Sequence, residues 1–135
     1  MLLDQATPGE GTPLRRVLLV DDELSSAEVL ALILAGEDYQ VTLAADARQA
    51  LARLDEAAPQ VLVVDFMMPG MNGADLVAAI REIPAYQDVP VLLISGAPEA
   101  ALRRYAMHYD AFLRKPFGLD LFLRTLRQLR RNGAG

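Results

Sequence analysis

Two short apolar runs end in acids, and they are the residues in this chain best suited to chemistry. Val61-Leu62-Val63-Val64 runs into Asp65 and then Phe66-Met67-Met68-Pro69-Gly70-Met71-Asn72-Gly73, while Val17-Leu18-Leu19-Val20 runs into Asp21-Asp22-Glu23. A carboxylate placed directly after a buried strand must be solvated, paired or bound to a cation, because burying it bare costs several kcal/mol or more. Two further apolar runs end in complementary groups. Val91-Leu92-Leu93-Ile94 delivers the hydroxyl of Ser95, and Ala111-Phe112-Leu113, with Arg114 between, delivers the ammonium of Lys115. If Asp21, Asp22 and Asp65 share one crevice they repel one another, and a hard cation removes that conflict. Oxygen-only ligands without His or Cys nearby select Mg²⁺ or Mn²⁺ over zinc. A carboxylate nucleophile, a divalent cation, a hydroxyl and a lysine make a phosphoryl-transfer site that works mostly by positioning and charge neutralisation. Asp65 is the natural nucleophile and would become an acyl phosphate, with Ser95 and Lys115 holding the phosphoryl oxygens.

The elements that would position these groups are legible in order. Residues up to about Leu14, with Pro8, Gly9, Gly11 and Pro13, are expected to form a loose tail (1–14), and the domain is expected to span 15–131, followed by a short tail at 132–135. The first strand hands over to a helix from about Leu24 to Ala35, ended by Gly36. Leu30 and Leu34 suit its core stripe; Val29, Leu32 and Ile33 are left over, for deeper burial or for docking. Gln40–Leu43 alternates as a half-exposed edge strand does, and a helix capped by Asp46 follows, with Ala50, Leu51 and Leu54 on one stripe. Asn72 caps the third helix in capping-box fashion with Asp75, and that helix stops before Pro84. Pro98 opens a fourth helix expected to reach about Met107, closed by His108. Leu119, Phe122, Leu123, Leu126 and Leu129 mark the fifth helix, stopped by Asn132-Gly133.

Strands alternating with helices predict a parallel sheet covered on both faces. Continuous apolar runs mark the first, third and fourth strands as central, and alternation marks the second and fifth as edges. That pattern is the flavodoxin-like (βα)5 doubly wound α/β sandwich with strand order 2-1-3-4-5, in which ligands bind at the switch point between the first and third strands.

Composition narrows the classes. The 135 residues suit one domain, and the absence of cysteine excludes disulfides, thiol catalysis and zinc–cysteine sites. A net charge of −5 argues against nucleic-acid or anionic-membrane partners. No signal peptide and no apolar run of membrane-spanning length is present, so the expected compartment is the cytoplasm. His108, the single histidine, reads as structural, and Met67, Met68 and Met71 read as packing residues. Arg124, Arg127, Arg130 and Arg131 read as a solvated helix face, with self-association together with Arg103 and Arg104 as the competing reading.

With Val20-Asp21-Asp22-Glu23, Val64-Asp65-Phe66-Met67-Met68-Pro69-Gly70-Met71-Asn72-Gly73, Ile94-Ser95-Gly96 and Leu113-Arg114-Lys115-Pro116-Phe117 in this order, the chain resembles a response-regulator receiver domain of two-component signalling. The resemblance implies that Asp65 accepts a phosphoryl group from a histidine kinase or a histidine phosphotransfer protein. It implies direct Mg²⁺ contacts from Asp22, Asp65 and the Met67 carbonyl, a water-mediated contact from Asp21, and a cis peptide at Lys115-Pro116. It also implies a switch in which the Ser95 hydroxyl moves toward the phosphoryl group and Phe112 turns inward, altering the face of the fourth helix, fifth strand and fifth helix. That face would bind a downstream protein partner or, in a weak homodimer, a second copy. An ordinary edge-strand aromatic is the competing reading of Phe112. No enzyme is expected beyond self-phosphorylation and autodephosphorylation. Two readings from other classes compete: a docking module independent of phosphorylation, and a Mg²⁺-dependent haloacid-type phosphatase, which wants a second acid where Met67 stands. An FMN carrier fits less well, because acids in the first strand–helix turn repel phosphate.

Overall fold

The computed structural model describes residues 15–105 and 108–134, with side chains followed as far as Leu129. The expected 1–14 tail, Met107 and the side chains of Arg130 and Arg131 lie outside the described residues. Five strands, β1 (Arg15–Val20), β2 (Tyr39–Ala44), β3 (Val61–Asp65), β4 (Val91–Ser95) and β5 (Ala111–Arg114), form one parallel sheet in the order β2-β1-β3-β4-β5. Helices α1 (Leu24–Ala35), α2 (Ala47–Ala52), α3 (Leu54–Ala57), α4 (Gly73–Arg81) and α5 (Leu119–Ala134) connect and cover it. This is the doubly wound topology that the strand pattern predicts.

The alternation of a strand places neighbouring residues on opposite faces, and both faces of the central strands are apolar. Leu18, Val20, Leu62 and Val64 pack beneath Leu54, Leu76, Val77 and Ile80 of α3 and α4. Val17, Leu19, Val61, Val63, Leu92 and Ile94 pack on the other face, beneath Ala27 and Leu34 of α1 and Phe122, Leu126 and Leu129 of α5. Register then fixes the site. Val20 pairs with Val64, so Asp21 and Asp65 leave neighbouring strands at one level; Ser95 pairs with Arg114, so Lys115 leaves β5 one position beyond Ser95.

Four expectations differ from the structure. The helix expected from Pro98 to about Met107 is, among the described residues, one 3₁₀ turn, Glu99–Leu102. A 3₁₀ turn eclipses positions three apart, and this segment uses that geometry to send Leu102 into the core and Tyr105 onto the Phe66 ring, edge-on at 4.8 Å. The second helix is interrupted at Arg53, whose backbone leaves helical geometry (φ −98°, ψ 2°) while its guanidinium donates to the Leu43 carbonyl at the end of β2. Asn132-Gly133 does not stop α5, which runs on to Ala134. Of the three methionines expected to pack, only Met68 is buried; Met67 and Met71 are exposed.

Two of the three surplus apolar residues of α1 lie at the surface, and Ile33 is half-buried. Leu34 is buried, whereas Val29 and Leu32 point outward, Leu32 being 76% exposed. Asn72 caps α4 as expected, its side chain accepting the Asp75 N–H at 2.9 Å.

Candidate phosphoryl-transfer site

The C-terminal ends of β1, β3, β4 and β5 open on one crevice. Asp21 and Asp65 are buried there, 1% and 4% exposed, and Asp22 stands beside them at the surface. One carboxylate oxygen from each of the three acids lies within 4.8 Å of the others. Asp21 is held by local geometry: its Oδ1 accepts the Glu23 N–H at 2.9 Å, which closes the turn into α1. Asp65 Oδ1 likewise accepts the Met67 N–H at 3.1 Å. The loop after Asp65 returns tightly enough that the Gly73 N–H donates to the Phe66 carbonyl at 3.0 Å. A Cβ on Gly73 would stand 2.8 Å from Phe66 Cα, so glycine is required for α4 to start this close to the acids.

Lys115 enters from β5, its chain turned by the cis Lys115-Pro116 bond that the resemblance implies. Its Nζ lies 3.0 Å from Asp21 Oδ2, 3.3 Å from Asp65 Oδ2 and 3.4 Å from Glu23 Oε1. Burial pulls the Lys115 ammonium down, but the hydrogen bond to Asp21 and the charges of Asp65 and Asp21 outweigh it and hold its pKa above the ordinary value. Asp65 is pushed up to about 6, first by burial and then by the charge of Asp21, against the opposing pull of Lys115 and the Met67 N–H. Ser95 is fully buried, its Oγ accepting the Ala97 N–H at 3.1 Å.

The donor set fits a hard divalent cation: three carboxylates converge, and no nitrogen or sulfur ligand is among them. Asp21, Asp22, Asp65 and Lys115 are therefore brought together as expected, with Ser95 on the adjoining strand end. Met67 contributes its N–H to Asp65 while its side chain, 58% exposed, stands at the surface. Phe112 is half-buried beside Phe66, Leu93 and Leu102 and faces the Tyr109 ring at 6.5 Å. His108 is exposed, 3.9 Å from Asp110, and away from these groups.

Sequence reasoning passed over Glu23. It was visible in the acid motif, but an exposed acid at a helix start reads as a complement to the helix dipole. Its reach to Lys115 depends on a fold-wide contact that no local pattern announces. It also passed over Tyr105, which with Phe66, Met67, Met68, Gly70 and Asn72 lines a hollow of about 440 Å³ beside the acids.

Comparison with known proteins agrees with this geometry. The family model of the response regulator receiver domain matches residues 17–127. The DNA-binding response regulator MtrA of Mycobacterium tuberculosis is 33% identical over 121 residues, covering 87% of this chain and 52% of MtrA. The transcriptional regulatory protein TrcR of the same organism is 31% identical over 125 residues, covering 93% of this chain and 48% of TrcR. The chain thus spans about half the length of these curated relatives. Among solved structures, the chemotaxis protein CheY4 of Vibrio cholerae superposes with a TM-score of 0.81 at 31% identity, over 86% of this chain and 98% of CheY4. TrrA of Thermotoga maritima, solved in complex with Mg²⁺-BeF, gives a TM-score of 0.74 at 25% identity, over 86% of this chain and 99% of TrrA. Sheet order, acid cluster, lysine and family match coincide on the same residues, and the chain belongs to the response regulator receiver domain family of two-component signalling.

Proposed function

We propose that Asp65 is the phosphoacceptor of this receiver, taking a phosphoryl group from the phosphohistidine of a histidine kinase or histidine phosphotransfer protein. The observation that carries this is the convergence of Asp65 with Asp21 and Lys115 in one buried crevice, at 3.0–3.3 Å from the lysine ammonium. A carboxylate oxygen of Asp65 attacks phosphorus as the P–N bond to the donor imidazole breaks, and the imidazole keeps the bonding electron pair. The Met67 N–H and the Lys115 ammonium, both already on the Asp65 carboxylate, orient it and neutralise charge on the incoming phosphoryl oxygens. Asp21, Asp22 and Asp65, with the Met67 carbonyl, are the groups that would hold Mg²⁺, or Mn²⁺ in its place. The cation supplies further neutralisation of the transferring group.

The signal leaves through packing. The Ser95 hydroxyl gives up the Ala97 N–H and turns to the phosphoryl group, and Phe112 moves into the space beneath it. This alters the face formed by the Glu99–Leu102 turn, β5 and α5, where a downstream protein or a second copy docks. No turnover beyond self-phosphorylation and autodephosphorylation belongs to this reading, and with a net charge of −5 its partners are proteins, not nucleic acid or membrane. Among the described residues no helix is long and apolar enough to cross a membrane.

The test is binding of beryllofluoride, an acyl-phosphate mimic, at millimolar Mg²⁺. Wild-type protein is expected to bind it with chemical-shift changes at Ser95 and Phe112, and Asp65→Asn is expected to bind none. Absence of binding by the wild type, or equal binding by the variant, refutes the assignment.

A further inference from the structure

Lys115 is shared among three carboxylates, and only two of them belong to the acid cluster that a cation would enter. Asp21 and Asp65 are buried and lie in the acid cluster with Asp22. Glu23 lies outside that cluster, its side chain 66% exposed, yet its Oε1 is 3.4 Å from the Lys115 ammonium. An ammonium has three protons and here has three acceptors. A divalent cation ligated by Asp22 and Asp65, with Asp21 reached through water, competes directly with Lys115 for the Asp65 carboxylate, because like charges cannot share it cheaply. The lysine then loses Asp65 and must be held from the mouth of the crevice by its remaining acceptors, Asp21 and Glu23.

We infer that Glu23 is a positioning residue that receives the Lys115 ammonium when a divalent cation occupies the acid cluster. It keeps the lysine at the mouth of the crevice, within reach of an incoming phosphoryl group. The geometry suits this. Glu23 immediately precedes α1, and its backbone is pinned by the Asp21 Oδ1 hydrogen bond, so its side chain starts from a fixed point. It lines, with Lys115, Pro116 and Phe117, the groove of about 750 Å³ that leads from solvent to Asp21. Lys115 need only release Asp65, without a new path, to rest on Glu23.

The inference rests on the acid cluster binding a divalent cation, so the experiment separates the two. Mg²⁺ affinity is measured by calorimetry for wild type, Glu23→Gln, Lys115→Met and the double variant, with circular dichroism confirming the fold of each. Glu23→Gln is expected to weaken Mg²⁺ by about three- to fivefold in the wild-type background, the upper end of the scale of one exposed ion pair. In the Lys115→Met background, which has no ammonium to receive, the same substitution is expected to cost about twofold or less, the residue of through-space charge. Equal losses in both backgrounds, or no loss in either, overturn the inference while leaving the cation site intact. No Mg²⁺ binding by the wild type overturns the cation site and this inference with it. A second measurement is direct: a crystal structure with Mg²⁺ should show Lys115 Nζ on Glu23 and off Asp65, and a lysine still paired with Asp65, or one that has left Glu23, refutes the role.

Discussion

At the scale of single residues, the site is a place where the fold accepts a cost. Asp65 is buried beside Asp21, and its folded pKa of about 6 stands above the ordinary carboxylate value of 3.8. The folded, metal-free protein therefore holds the Asp65 proton more tightly than the unfolded chain does. The stabilisation from that proton is complete below pH 4 and is lost as the pH rises to about 6. Asp65→Asn removes this titration. The expected outcome, in chelator, is a melting temperature for Asp65→Asn that gains on the wild type between pH 4 and pH 6 and keeps a constant difference above it. Thermal melts across that range check the sign. Gly73 is the other residue whose identity is dictated by contact, with Phe66 Cα 2.8 Å from where a Cβ would stand. Gly73→Ala must push α4 away from the end of β3; denaturant melts are expected to show a loss of about 1–3 kcal/mol, the usual range for overpacking.

At the scale of elements, the connection between β4 and β5 shows where tertiary packing overrides local preference. Pro98-Glu99-Ala100-Ala101-Leu102 has the composition of a helix start, yet Leu102 and Tyr105 are placed by a 3₁₀ turn onto one apolar patch that includes Phe66. The Tyr109 hydroxyl donates to the Glu99 carboxylate, which ties the start of the segment to its end and raises the Tyr109 pKa. If the ring pair is what holds the segment, Phe66→Leu and Tyr105→Ala should be coupled. A double-mutant cycle in urea is expected to give an interaction of about 1 kcal/mol, the usual worth of an edge-to-face aromatic pair beyond its burial. The central strands were legible because continuous apolar runs have one stable use in a parallel sheet, and the site was legible because the acids and the serine follow such runs directly, with the lysine just past the short fifth strand. What stayed hidden depended on contacts between distant segments. Helix or 3₁₀ turn at Glu99 is decided by Phe66 across the fold, the break at Arg53 by a carbonyl on β2, and the role of Glu23 by a lysine from β5.

At the scale of the whole molecule, the parallel sheet gathers negative charge at one end, and Lys115 is the counter-charge that makes this tolerable. Its ammonium pairs with Asp21 and Asp65 while only 23% exposed, so deleting it leaves two buried carboxylates facing each other. Removing one partner of such an arrangement costs on the order of 3 kcal/mol, because the remaining charges stay buried without compensation. A cation binding the same oxygens replaces that compensation, and ligand binding to the folded state stabilises it in proportion to the logarithm of concentration over Kd. Lys115→Met is therefore expected to melt well below the wild type in chelator and to recover most of the difference in millimolar Mg²⁺. Its melting temperature should rise more steeply with Mg²⁺ than that of the wild type, since no resident ammonium has to be displaced. Scanning calorimetry over a Mg²⁺ series decides the matter: parallel rises in the two proteins would mean that lysine and cation do not compete for the acid cluster. A steeper rise in the variant would show that one cluster of acids serves in turn as the lysine's partner and the metal's ligand.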